Sequence, residues 1–228
     1  MRVCYNGSKK LGWIMELLYL DDRVVVCLKP PGVLSTDEPG GMPERLRAAL
    51  DADGIRSVHR LDRAVGGVMV YARTRRAASD LSAQIREGVF QKEYWAVVRG
   101  KPTEPEGRMV DWLHRDRAAR KTLVVPRDAP EAQEAVLEYR LLAHSGGLSL
   151  LSIRLLTGRT HQIRCQLASR GLPIVGDRKY GGEGSGDVAL WSRSIAFLHP
   201  RSGESMRFTS APPNAYPWAP TFSAYPAE

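Results

Sequence analysis

The sequence predicts an α+β fold, and three observations predict it. Leu137-Tyr139-Leu141 and Leu151-Ile153-Leu155 alternate with polar residues, the period-two pattern of half-buried antiparallel strands. Two other segments, Thr74 to Gly88 and Thr160 to Gly171, carry apolar residues at helical spacing between start and stop signals. Such signals continue from residue 13 to residue 210 with no long linker and no repeat. The 228 residues therefore read as one domain, 1–228, with a core over about 13–210 and an extended strap over 211–228.

The first strand is Arg23 to Leu28, a β-branched run closed by Lys29-Pro30-Pro31-Gly32, whose prolines cannot continue a ladder. A short helix follows, with Pro43 in its first turn, Leu46 and Leu50 on one face, and Gly54 beyond its end. Ile55 to Val58 and Gly67 to Tyr71 are β-favouring and enclose the loop His59 to Gly66, which is thereby displayed at a strand end. Thr74 caps the next helix, Ala77, Leu81 and Ile85 form its apolar stripe, and Gly88 stops it. Tyr94 to Val98 is a strand, and the two alternating segments come after it. Leu155-Leu156 then runs into Thr157-Gly158-Arg159-Thr160, with Thr160 as the cap of a helix that Ile163 and Leu167 define and Gly171 and Pro173 end. That helix start presents His161 and Arg164 at a positive dipole end. The strap holds five of the fifteen prolines and runs extended over the surface.

Hydrophobic residues make up 43% and charged residues 25%, a composition that excludes a disordered, collagen-like or membrane-embedded chain. The longest apolar run, Leu11 to Leu20, contains Glu16 and meets Asp21 and Asp22 without a cleavage site, so it is neither signal peptide nor span. Cys4, Cys27 and Cys165 are odd in number and far apart, which indicates a reducing, cytoplasmic location. The five histidines show no metal-ligand spacing with one another or with cysteine, and no metal is expected. Lys and Arg number 33 against 25 acids, a net charge of +8 that gathers polyanions and makes nucleic acid the leading partner class. Six arginines lie between Arg56 and Arg76 with Asp62 as the sole acid, and Arg115, Arg117, Arg120 and Lys121 form a second basic cluster.

Asp62 stands between Arg60 and Arg63, whose charges favour an ionised carboxylate suited to a nucleophile or a charge stabiliser. The plainer alternative is an aspartate salt-bridged on a solvated loop. A general acid with a partner carboxylate is disfavoured, because no second acid stands nearby in the chain. His59 and His161 accompany no recognisable Ser or Cys nucleophile motif and read as capping or hydrogen-bonding residues. Gly181 to Gly186 lacks the Gly-Lys-Ser/Thr ending of a phosphate-binding loop and reads as a flexible loop.

Together these residues resemble the catalytic domain of an RluA-type pseudouridine synthase. The resemblance runs from Leu17 to Asp22 and Lys29-Pro30-Pro31-Gly32, through His59-Arg60-Leu61-Asp62 and Lys92-Glu93-Tyr94, to Thr157 through Arg164, Gly171 through Asp177, and Tyr180-Gly181. It implies a pseudouridine synthase fold, a central mixed, largely antiparallel sheet with flanking helices. It also implies an isomerase that detaches uracil from its ribose and rejoins it through carbon 5, without metal or cofactor. On matching positions the resemblance implies that Asp62 corresponds to the family's catalytic aspartate, Tyr94 to its active-site tyrosine, and Arg164 to the arginine that pairs with the aspartate. Arg60 is a candidate wedge or phosphate contact, and Lys29 and Arg159 are candidate backbone contacts. His59, Leu61 and His161 complete the candidate substrate-side set, His59 and Leu61 chiefly as residues that shape the loop.

Two departures stand out. The family follows its aspartate with two variable residues and Thr-Ser-Gly, where this chain has Val65-Gly66-Gly67. Where the family has Leu-His-Ala, this chain reads Leu190-Trp191-Ser192. The expected protein is a monomer acting on ribosomal or transfer RNA, with neither membrane nor obligate protein partner and no separate RNA-binding domain before residue 13. The competing class is an RNA-binding or RNA-refolding module on the same fold with little or no isomerase activity.

Overall fold

Three strands open the chain in the computed structural model, which describes residues 3–6, 14–184, 186–219 and 221–222. They are β1 (Val3–Asn6), β2 (Ile14–Leu20) and β3 (Val24–Lys29), each antiparallel to the next. The β2–β3 turn is tight because Asp21 Oδ1 accepts from the backbone N–H groups of Arg23 and Val24, both at 2.8 Å. After β3 the prolines force the chain out of the ladder, and helix α1 (Met42–Leu50) follows, with proline in its first turn as the sequence predicts. Of the segment Ile55 to Val58 only β4 (Arg56–Ser57) is a strand, paired to one end of β5 (Gly66–Ala72). β5 is buried along its whole length and pairs antiparallel with β3. Helix α2 (Arg75–Arg86) starts where the cap predicts, Thr74 Oγ1 accepting from Ala77 N–H at 3.1 Å.

β6 (Gln91–Arg99), β7 (Glu106–Asp116), β8 (Lys121–Val125), β9 (Gln133–Ser145) and β10 (Leu148–Leu155) come next, followed by helix α3 (Gln162–Ala168). Strands β11 (Leu190–Leu198) and β12 (Ser205–Thr209) close the sequence of elements and pair antiparallel. Every pairing with a described register is antiparallel, in the α+β architecture that the alternating segments predict. No helix among the described residues is long and apolar enough to cross a membrane.

These elements form two compact units, Met1–Lys92 with Ser192–Ala211, and Glu93–Trp191 with Pro212–Glu228. The chain changes unit within β6 and again within β11, so no linker composition marks the change. In the first unit the strands run β1-β2-β3-β5-β11, with β12 on β11. Its core brings Val24 and Val26 together with Val68, Val70, Leu81, Phe90 and Phe197. In the second unit the order is β6-β10-β9-β7-β8, and Leu113, Ala135 and Tyr180 pack against Cys165 of α3. The strap departs from the extended course expected of it. Ala215 O accepts from both Trp218 and Ala219 N–H, which winds residues 214–219 into turns, and residues 220 and 223–228 lie outside the described set.

One turn and one glycine in the first unit carry testable consequences. His199, after β11, places Nε2 2.8 Å from Asp21 Oδ2, while its Nδ1 accepts from Ser202 N–H at 3.2 Å. Burial pushes the Asp21 carboxyl up, but the N–H groups of Val24 and Arg23 and the His199 ring more than offset it and hold the group below its ordinary range. The carboxylate's stabilisation is therefore fully present above the ordinary carboxylate pKa and is lost as pH falls through the lowered one. Asp21→Asn should cost about 2 kcal/mol at neutral pH, with the deficit shrinking below about pH 4. Urea unfolding across that range checks this, and a deficit constant with pH would refute it.

Gly67 lies at φ +120°, and a Cβ there would meet Ser192 backbone O and, at 2.6 Å, its N. Gly67→Ala should destabilise by more than about 2 kcal/mol, because neither the conformation nor the strand contact can relax cheaply. A melt within a degree of wild type would show that β11 moves aside.

Candidate active site

The loop His59 to Gly66 is fixed almost peptide by peptide within the first unit. Ser35 Oγ donates to Leu61 O at 2.8 Å and accepts from Leu61 N–H at 3.1 Å. Arg63 O accepts from Gly32 N–H at 2.8 Å and from Lys29 Nζ at 3.2 Å, and Asp62 O accepts from Val65 N–H at 3.0 Å. Asp62 thus rides on a backbone bonded at its own carbonyl and at both neighbouring residues. Such a frame holds a reacting group in place without reorganisation. Asp62 itself is half-buried and Arg60 is exposed beside it.

Lys29 departs from its expected role. It is 0% exposed, and its three ammonium hydrogens are matched by the carbonyls of Pro30, Val33 and Arg63. Burial pulls it down to about 8, with the charge of Asp62 acting in the opposite sense. A lysine sealed in this way ties the Pro30–Val33 turn to the Asp62 loop, which removes it from the candidates for a phosphate contact.

His59 and Leu61 occupy the positions of loop-shaping residues. Leu61 is 5% exposed, and the His59 ring lies against Phe90 with centroids 5.3 Å apart. Val70 N–H donates to His59 Nε2 at 3.2 Å, so the neutral ring carries its proton on Nδ1. Burial, with Lys92 adding to it, pushes His59 down to about 3, and the ring stays uncharged at neutral pH. Lys92 is itself held below its ordinary value by burial.

The two departures from the family pattern meet here. Ser192 Oγ donates to Val68 O at 2.9 Å, Gly67 packs on the Ser192 backbone, and Val65 is 2% exposed. Where the family pattern carries two hydroxyls this loop carries none, and Val65 fills its place in the core.

In the second unit the segment after β10 is organised by Gln162. Its Oε1 accepts from Thr157 Oγ1 and from Arg159 N–H, and its Nε2 donates to Val136 O. Helix α3 begins at Gln162 with His161 as its first flanking residue at φ +53°. The predicted Thr160 cap is not formed. A left-handed residue at 161 turns the chain before the helix, and the Thr160 hydroxyl instead accepts from Arg115 at 3.0 Å. His161 Nδ1 lies 2.9 Å from Tyr180 Oη, which also accepts from Thr122 N–H at 2.8 Å. Exposed Arg159 donates from Nε to Glu134 O at 2.9 Å.

Arg164 points into the unit and is 6% exposed. Its Nε and one terminal nitrogen grip Asp177 at 2.7 and 2.8 Å, a bidentate fork with a carboxylate that is 1% exposed. The guanidinium also lies 5.1 Å from the Tyr180 ring centroid. Asp177 closes the motif Gly171 to Asp177, and nothing in the sequence signals that it is the partner of Arg164. Tyr94, 5% exposed on β6, stands in register with Ile153 of β10.

Residues 23–169 match a family described as RNA pseudouridylate synthase. The chain is 33% identical over 218 residues to the dual-specificity RNA pseudouridine synthase RluA of Escherichia coli, covering 90% of this chain and 95% of that one. It is 34% identical over 206 residues to an uncharacterized RNA pseudouridine synthase of Synechocystis, covering 83% of this chain and 63% of the relative. The structure of human RNA pseudouridylate synthase domain containing 1 superposes with a TM-score of 0.76 at 21% identity, covering 88% of this chain and 84% of that one, a likeness of fold.

Proposed function

Because the chain belongs to the family of RNA pseudouridylate synthases, which are isomerases, we propose that it converts uridines of structured ribosomal or transfer RNA to pseudouridine with Asp62 as the catalytic carboxylate. The observation that carries this reading is the clamped loop around Asp62, bonded at Leu61, Asp62 and Arg63. An aspartate that merely balances surface arginines needs no such frame.

In the reaction the bond from ribose carbon 1′ to N1 of uracil breaks and a bond from carbon 1′ to carbon 5 forms. The carbon 5 proton departs and N1 gains one, so electrons balance without a redox partner. Asp62 acts either as a nucleophile toward the nucleoside or as a base on the sugar. Tyr94 stacks on the freed uracil and assists removal of the carbon 5 proton, and Arg164 serves as the guanidinium partner that the family gives its aspartate. The uridine leaves its stack at a cost of a few kcal/mol, least in loops. Arg60, exposed beside Asp62, fits a wedge or a phosphate contact.

The missing loop hydroxyls favour a rival binding module, and the burial of Val65 and the Ser192 bond to Val68 weigh against it. Tritium release from unmodified RNA labelled at carbon 5 of uridine, with no added metal or cofactor, tests the proposal. Release is the expected result. RNA that binds but gives no release would return the choice to the binding module.

A further inference from the structure

The second unit holds a cavity of about 550 Å³ that contains none of the catalytic residues. Arg115, Arg117 and Arg159 line it, with Glu131 as the one acid among its lining residues. Two of the arginines are set in place by a single nitrogen each, Arg115 on the Thr160 hydroxyl and Arg159 on Glu134 O. Each keeps its other N–H groups for a ligand among the described residues. Thr122, 2% exposed, stiffens the wall, its hydroxyl donating to Thr160 O and its N–H to Tyr180 Oη. Ala132 adds an apolar surface, with Leu113, 3% exposed, at its floor.

We propose that this cleft holds one nucleotide of the RNA strand other than the target uridine, its phosphodiester on the arginines and its sugar and base against Leu113 and Ala132. The inference rests on the RNA-modifying reading for its choice of ligand. Anchored guanidinium forks match phosphate oxygens better than mobile lysines do. A volume of about 550 Å³ is within the range of small-molecule sites and far exceeds a lone phosphate. The apolar side accounts for the remainder. Phosphate contacts of this kind contribute affinity and salt dependence without selecting sequence.

A short fluorescent oligocytidylate is the probe, because it contains no uridine and cannot be a substrate. Arg115→Ala combined with Arg117→Ala should weaken its binding about tenfold at moderate salt and lower the salt slope by about 0.7, the share of one phosphate contact on a single strand. Both residues are exposed, so the fold should be kept, and circular dichroism checks it. Arg140→Ala, on exposed β9, is the control and should leave binding as it is. Equal affinity and slope in the double variant would overturn the proposal, as would cytidine monophosphate binding as tightly as the oligonucleotide, which would mark a free-nucleotide site. Because the probe is not a substrate, arginine-dependent binding by a protein that releases no tritium would keep the cleft and reject the isomerase. Tritium release with arginine-independent binding would do the reverse.

Discussion

Asp62→Asn is expected to abolish tritium release, lowering turnover by at least about a thousandfold, while the protein still folds and binds RNA. The amide is nearly isosteric but is neither a nucleophile nor a base. The bonds that shape the loop belong to the backbone and to Ser35 and Lys29, and none of them needs the Asp62 carboxylate. One electrostatic consequence is also expected. Asp62 supports the charge on buried Lys29, so its neutralisation should lower Lys29 further from about 8. A small loss of stability is consistent with this, and a collapse of the fold is not. Circular dichroism, a salt-dependent RNA binding curve and the release assay on the same preparation separate the outcomes. Turnover retained in the variant would remove Asp62 from its role.

Arg164→Met should be the most damaging substitution for stability. It removes both arms of the fork on Asp177 and leaves an ionised group that is 1% exposed without that cation. Breaking a buried pair from one side costs about 3–5 kcal/mol, more than the pair is worth against an apolar replacement of both partners. At roughly 2–4 °C per kcal/mol for a chain of this size, the melting midpoint should fall by about 6–20 °C. The double variant Arg164→Met with Asp177→Leu distinguishes the cause. It should recover most of the lost midpoint, because no buried charge is then left alone. It should not recover turnover if Arg164 also serves Asp62 as the proposed function requires. A single variant that melts like wild type would sink the ion-pair argument.

The legible parts of this fold are those whose signals are local. Thr74, the stripe of Ala77 and Leu81, and Gly88 at φ +74° specify α2 within fifteen residues of sequence. β7 and β8 escaped because only Met109 and Leu113 of β7, and only Thr122 of β8, are buried. Their register is set by pairing to one another and to β9, not by an alternation of their own. The Thr160 cap failed for a related reason. The left-handed turn at His161 is stabilised by Tyr180 and Thr122, both distant in sequence.

At the candidate site the resemblance supplied the motif residues, yet residue type could not reveal burial. Lys29 looks the same in a sequence whether it faces phosphate or three carbonyls. Asp177 stood in plain view, but its use depended on where α3 would aim Arg164. The packing of Gly67 on Ser192 joins two segments that lie far apart in the sequence, and only the adjacency of β5 and β11 reveals it.

That adjacency also sets an order of events at the ribosome. Ser192 follows Val68 by 124 residues, and at about 5–20 residues per second the nascent chain waits roughly 6–25 s for it. Until then β5, buried along its length in the finished protein, offers an open, apolar edge. The strands β7 to β10, by contrast, are complete by Leu155. The unit that carries Asp62 is therefore begun first but still open when β7 to β10 are complete, and its waiting edge is the natural point of attachment for a chaperone holdase or, without one, for a neighbouring unfinished copy.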